Sequence, residues 1–284
     1  MSTGDIKAEL RQTWESAAPG WAKWEDVLAS GLVDATDAML DRAGVAADKR
    51  VLDLASGAGS QSLRAAQRVG PNGSVLACDI SPTMLAYVRE KAKHKGLGNI
   101  ETLECAAEEL PESLGAFDAA ICRLGLMLFP APQQALKAVQ SVLKPGARFA
   151  GLVFTTPDNN PYMSRPMQIL LRHAGKEPPQ AGKPGIFALG APGVFAALLS
   201  RSGLSGVETE VVRAPLRMAT ATEALEMMQQ AFGAYRAVVA DLSADARTAA
   251  WSEVLECLRQ FEGDDGFEVE FEFVIGSGAA AAHP

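Results

Sequence analysis

The chain has 284 residues, 48% of them hydrophobic and 21% charged, which is the make-up of an ordinary globular protein with a sizeable core and excludes fibrous or disordered classes. A formal net charge of −8 argues against the phosphate attraction that carries most nucleic-acid binding, and no apolar run approaches the ~20 residues of a membrane span. Cys78, Cys105, Cys122 and Cys257 have no metal-ligand spacing and read as buried thiols, so no metal is expected; the amino terminus lacks a signal-peptide pattern, so a cytoplasmic location is expected.

Residues 5–44 read as two helical segments separated by Pro19-Gly20, carrying Trp14, Trp21 and Trp24 and stopping at Gly44. Residues 1–48 are thus expected to form an N-terminal helical flap, and 49–284 the main domain. An apolar run over 51–54 predicts a buried strand, followed by small residues with Gly57 and Gly59 and then a helix with Leu63, Ala66 and Val69 inside. A second strand over 74–78 ends at Asp79, and Ser81-Pro82 opens a helix with Met84, Leu85 and Val88 on its inner face. Further strands are predicted over 100–105, 117–122 and 148–154. The turn Lys144-Pro145-Gly146 separates the last of these from a helix over 132–143.

Beyond Phe154 the pattern loosens. Two cap insertions are expected, over 155–190 and 218–262, with a helix over 192–203 and a strand over 207–211 between them. The final strand alternates Phe267, Val269, Phe271, Phe273 and Ile275 with Glu268, Glu270 and Glu272, which predicts one wet face, with burial only near 273–275.

Strands alternating with helices predict an α/β fold, a doubly wound, largely parallel sheet whose ligands bind at the carboxyl ends of the strands. The glycine loop at 53–59, Asp79, residues 106–108 and Arg123 all fall at those ends. Glycines that permit φ > 0, a helix N-terminus and an acid 20 residues after Gly59 suit a nucleotide-type cofactor with a ribose. A dinucleotide site would need a third glycine at position 62, which is Ser62, so NAD(P) is the weaker tenant.

Four stretches in this order resemble the class I S-adenosylmethionine-dependent methyltransferases, in particular the ubiquinone/menaquinone branch. They are Val51-Leu52-Asp53-Leu54-Ala55-Ser56-Gly57-Ala58-Gly59, Asp79-Ile80-Ser81-Pro82-Thr83-Met84-Leu85, Glu108-Glu109-Leu110-Pro111 and Leu143-Lys144-Pro145-Gly146. The resemblance implies a Rossmann-like seven-stranded sheet with the last strand antiparallel, binding S-adenosylmethionine and its product S-adenosylhomocysteine. It implies that Asp53 and the backbone of Ala55, Ser56, Gly57 and Gly59 hold the methionine part, that Asp79 takes the ribose, and that Ile80 and Met84 enclose the adenine. Ala107 N–H would reach a ring nitrogen, and Arg123 and Leu124 would border methionine and acceptor. Ala55 stands where many relatives have a glycine. Ala106 stands where many have an aspartate for the adenine amino group, which leaves Glu108 as the acid at that edge.

Methyl transfer from a sulfonium needs alignment above all, and a base only if the acceptor must lose a proton. His94 ends a surface helix and His283 lies in the tail, so His173 in the cap is the candidate base. The acceptor is expected to be a small, largely apolar organic molecule and not a nucleic acid. Its pocket would draw on Trp21, Trp24, Tyr162, Met163, Phe187, Met228, Phe232 and Tyr235, with hinges at Pro157 and 182–185. A non-catalytic or cofactor-sensing protein on the same fold is the alternative.

Overall fold

A computed structural model describes residues 3–178 and 183–281. Residues 179–182 of the first cap insertion, with the Gly182 end of its hinge, and the tail with His283 lie outside the described residues.

Among the described residues eight strands form one sheet. In chain order they are β1 (Arg50–Leu54), β2 (Ser74–Asp79), β3 (Ile100–Glu104), β4 (Phe117–Arg123), β5 (Leu143–Phe154), β6 (Ser205–Met218), β7 (Glu262–Gly263) and β8 (Gly266–Ala279). Their spatial order is β3-β2-β1-β4-β5-β8-β6; β1 to β5 run parallel, and β8 is antiparallel to both β5 and β6. The two-residue β7 is a short ribbon on β8, so the seven expected strands account for the main path. Consecutive residues of β1, β2 and β4 are buried, because helices cover both faces of a parallel sheet. Chain reversal between β1 and β4 places the carboxyl ends of the central strands around one crevice.

The helices are α1 (Thr3–Gly31), α2 (Val33–Arg42), α3 (Ser60–Val69), α4 (Pro82–His94), α5 (Pro132–Val142), α6 (Pro161–Ala174), α7 (Val194–Arg201), α8 (Ala221–Ala231), α9 (Gly233–Val238) and α10 (Ala244–Leu258). Ser81 caps α4 by accepting from Met84 N at 3.1 Å, with Pro82 in the first helical position.

Two expectations are corrected. First, Pro19-Gly20 does not divide the N-terminal helix: α1 runs through it. Gly20 is a packing residue there, since a Cβ at that position would run into the Gln230 carbonyl at the end of α8. Trp24, Leu28, Leu32, Met39 and Leu40 belong to the same core as the sheet.

Second, β8 is buried along its whole apolar face, and not only at 273–275. Phe267, Val269, Phe271, Phe273 and Ile275 are all buried. Pairing with β5 ends at Phe154↔Phe273, and the earlier half of β8 pairs with β6, through Arg213↔Glu272 to Met218↔Phe267, with β7 joining only at Gly266 and Phe267. That two-stranded extension carries the cap: Tyr162 of α6 packs on Phe267 and Phe271, and Phe261 on Phe267. The glutamates take the opposite face, where Glu268 meets Arg217, and Glu270 and Glu272 meet Arg213.

Candidate functional site

The loop after β1 sits on the end of β2. Ser56 N–H donates to the Cys78 carbonyl at 3.0 Å, and the Asp79 carboxylate accepts from Gly57 N and Ser81 N, both at 2.9 Å. Gly57 and Gly59 have φ of 55° and 99°, a region costly for any side chain. Ala55 adopts φ 51° and Leu124, just past β4, φ 62°. Two non-glycine residues in left-handed conformation, one at the end of each central strand, mark where the backbone is bent to a purpose. A Cβ at Gly125 would collide with the Cβ of Ala55, so the two bends touch.

Between them opens a cavity with two lobes. The first, about 840 Å³ including its open mouth, is lined by Asp79, Ile80, Met84, Ala106, Ala107 and Glu108. The second, about 930 Å³ counted the same way, is lined by Leu28, Leu32, Met127, Phe154, Met163, Ile186, Phe232, Tyr235, Phe271 and Phe273, with Glu25, Ser56 and Gln61 as its polar side. Ala55, Gly57, Trp21, Arg123 and Leu124 line both. The lobes therefore meet over the glycine loop and the end of β4. Trp21 roofs the junction, edge-on to Trp14 at 6.0 Å between ring centres and 6.2 Å from Phe232.

Charge at the junction is layered. Asp53 is fully buried beneath the loop, where Ser62 Oγ and Gln61 Nε2 donate to it; burial pushes its carboxyl up to about 7 despite those bonds and the nearby Arg123. Burial likewise raises Asp79, opposed by the N–H groups of Ser81, Gly57 and Ile80. Arg123 donates to Thr36 Oγ1 at 3.1 Å and to Ser60 Oγ; burial lowers it to about 10, with Asp53 acting against the shift, so it stays cationic at neutral pH. Burial lifts the Cys122 thiol to about 12, which makes it inert as a nucleophile. Ser56 Oγ is buried without a hydrogen-bond partner.

Of the residues singled out in the sequence, the cavity gathers Ala55, Ser56, Gly57, Asp79, Ile80, Met84, Ala106, Ala107, Glu108, Arg123 and Leu124 together with Trp21, Met163, Phe232 and Tyr235. It does not gather the others. Asp53 supports the loop from below. Gly59 faces Val88 of α4. Trp24 is a core residue whose indole N–H donates to Gln230 Oε1 at 2.8 Å. Tyr162 and Met228 are buried and line neither lobe, and Phe187 meets Phe154 edge-on while its neighbour Ile186 lines the second lobe. His173 lines neither lobe: its Nε2 lies 2.8 Å from Glu253 Oε2, held between α6 and α10.

The sequence reading missed Glu25, Gln61, Phe154, Phe271 and Phe273. Glu25 follows Trp21 by one helical turn, Phe154 ends β5, and Phe271 and Phe273 stand on the inner face of β8; those spacings carried the signal. Among the described residues no helix is long and apolar enough to cross a membrane, and no group of His, Cys, Asp and Glu could hold a metal ion.

Comparison with known proteins bears on this arrangement. Residues 46–167 match the methyltransferase-domain family. The ubiquinone/menaquinone biosynthesis C-methyltransferase of Ectopseudomonas mendocina is 35% identical over 156 residues, covering 54% of this chain and 61% of that protein. The chain thus spans about three-fifths of the length of the curated relatives it matches. Among solved structures, the YcgJ protein of Bacillus subtilis shares the fold with a TM-score of 0.56 at 19% identity, over 87% of this chain and 98% of that one. Phosphoethanolamine N-methyltransferase 2 of Haemonchus contortus, solved with phosphomonomethylethanolamine and S-adenosylhomocysteine, shares it with a TM-score of 0.59 at 18% identity, over 100% of this chain and 61% of that one.

Proposed function

We propose that this chain, which carries a class I S-adenosylmethionine-dependent methyltransferase domain, transfers a methyl group to a small, largely apolar organic acceptor seated in the second lobe. The observation that carries this reading is the junction itself: two lobes of one cavity meet at Ala55, Gly57, Arg123 and Leu124, under Trp21.

The residues of the first lobe fit the cofactor. Asp79 faces it as an acceptor for ribose hydroxyls, Ile80 and Met84 offer apolar walls to a base, and Glu108 and the Ala107 N–H stand at its edge. Gly57 keeps the floor open, since a Cβ there would lie 3.4 Å from Trp21 Nε1. When bound, the cofactor supplies an electrophilic methyl on a cationic sulfur. The work of the chain is orientation and exclusion of water. Holding both partners collinear can lower a barrier by ~7–11 kcal/mol. The aromatic roof of Trp14, Trp21 and Phe232 shields the junction from solvent. Asp53 acts at one remove, by fixing Gln61 and Ser62 under the loop.

The acceptor side favours an aromatic or otherwise apolar molecule, because Phe, Met, Leu and Trp side chains dominate the second lobe and no Lys/Arg stripe approaches it. Relatives named for carbon methylation in quinone biosynthesis are compatible with an acceptor of that kind. Calorimetry with S-adenosylhomocysteine, followed by turnover of S-adenosylmethionine with small phenols, quinols and amines beside RNA and DNA, tests the reading. Saturable cofactor binding and methylation of at least one small molecule are expected. Failure to bind the cofactor, or faster methylation of nucleic acid than of every small molecule, would overturn it.

A further inference from the structure

The ionisable side chains that line the second lobe are Glu25, Arg123 and Tyr235. Two of them are committed elsewhere. Glu25 accepts from Ser60 N at 2.8 Å and pairs with Lys91. Tyr235 donates its hydroxyl proton to the Met163 carbonyl at 2.7 Å, and burial raises it well above the usual phenol range, so it is no base at neutral pH. Arg123 is different. Its hydrogen bonds go to two neutral hydroxyls, Thr36 Oγ1 and Ser60 Oγ, which leaves three of its five N–H donors uncommitted, and the nearby Asp53 acts on its charge through space without a hydrogen bond to it. The same lobe is lined by Ser56, 1% exposed, whose Oγ has no partner. A half-buried cation and a buried orphan hydroxyl in an otherwise apolar cavity both cost free energy unless a ligand completes them.

We propose that Arg123 and Ser56 form a seat for an anionic oxygen of the acceptor, which is therefore a molecule with an acidic hydroxyl, a phenol or an enol, bound as its conjugate base. The inference rests on the reading of the second lobe as the acceptor site. On binding, the O–H bond breaks, the proton passes to bulk water and the electron pair stays on oxygen, facing the junction. The guanidinium does the work of a general base by stabilising the anion, which accounts for a lobe without a free histidine or carboxylate. An amine acceptor gains nothing there, because its protonated form is repelled by Arg123.

The coloured anion of 4-nitrophenol is a direct probe, titrated by absorbance in the presence of protein loaded with S-adenosylhomocysteine. The bound phenol is expected to ionise at a pH at least one unit below the free one, a tenfold change in its ionisation constant. Arg123→Leu should abolish the shift and Arg123→Lys retain most of it, which separates charge from packing. Ser56→Ala, read at saturating S-adenosylhomocysteine, should weaken binding of the anion about threefold or more. A probe that binds only as the neutral phenol, or not at all, overturns the inference. So does an Arg123→Leu protein that loses tenfold in S-adenosylhomocysteine affinity and keeps the shift, for then the anion held at Arg123 is the carboxylate of the cofactor. Absence of S-adenosylhomocysteine binding in the unmodified protein is a separate failure, that of the acceptor-site reading itself.

Discussion

Glu25 Oε1 accepts the backbone N–H of Ser60, the first residue of α3, at 2.8 Å, and the same carboxylate pairs with Lys91 of α4. One buried acid thus fastens the N-terminal helix to the glycine loop, at a helix end where negative charge is favoured. Glu25→Ala leaves the Ser60 N–H and a half-buried ammonium without that partner. A loss of about 1–3 kcal/mol is expected, read by urea denaturation. A loss below about 0.5 kcal/mol, within the range of ordinary surface substitutions, would mean the fastening is idle.

Asp79 already accepts from Gly57 and Ser81 and presents its remaining lone pairs to the first lobe. Asp79→Asn keeps the shape and removes the charge. S-adenosylhomocysteine binding should weaken by ~1.5–3 kcal/mol, the scale of hydrogen bonds to a charged group. Unchanged affinity by calorimetry would take the ribose away from Asp79.

Gly57→Val combines a strained φ of 55° with a side chain pointing at Trp21, so it should abolish cofactor binding while circular dichroism stays native. Ala55→Gly is the opposite case. Its φ of 51° costs alanine about 1–2 kcal/mol that glycine escapes, part of which returns as backbone entropy. A net gain of about 0.5–1 kcal/mol is expected in thermal unfolding, with cofactor affinity retained. A destabilised Ala55→Gly protein would show that the methyl contact with Gly125 outweighs the strain.

The Asp53 carboxyl, raised from 3.8 to about 7, makes stability fall with pH. Between these values the folded state binds more protons than the unfolded chain, so the contribution is full below pH 4, declines through the window and levels off above 7. The slope can reach about 1.4 kcal/mol per pH unit. Asp79, also raised, adds a term of the same sign. Urea midpoints at pH 5, 6, 7 and 8 should decline in the parent and decline less steeply in Asp53→Asn, where Asp79 still contributes. A parent whose stability rises between pH 5 and 7 would contradict this.

The ends of the central strands are legible in the sequence, because buried parallel strands read as unbroken apolar runs and the residue closing each run must face the crevice; Asp79 and Arg123 follow from that, whereas Ala106 follows a half-exposed edge strand, Ile-Glu-Thr-Leu-Glu, with no such run. The roof is not. Whether a helix survives Pro19, and whether Trp21 lines the cavity while Trp24 fills the core, depends on contacts with Gln230 and Phe232 more than 200 residues away, which no local pattern encodes. The same limit misdirects the reading of His173. Being the one histidine in the cap marks it chemically, but its partner Glu253 lies on α10, and that helix turns it from the cavity. Burial of Phe267 and Phe271 likewise depends on a cap whose position only the folded chain defines.

The placement of β8 bears on how the chain is made. It is the strand nearest the C-terminus, yet it lies between β5 and β6 and hydrogen-bonds to both. During synthesis β1 to β5 can assemble as they emerge, at about 5–20 residues per second, but the far edge of β5 stays unpaired until residues 273–279 have left the ribosome. For that interval β6 has no neighbour in the sheet and the cap helices have no floor. The wall of the second lobe built by Phe271 and Phe273 is thus completed last, and a nascent or C-terminally clipped chain exposes an open strand edge of the kind that recruits other chains.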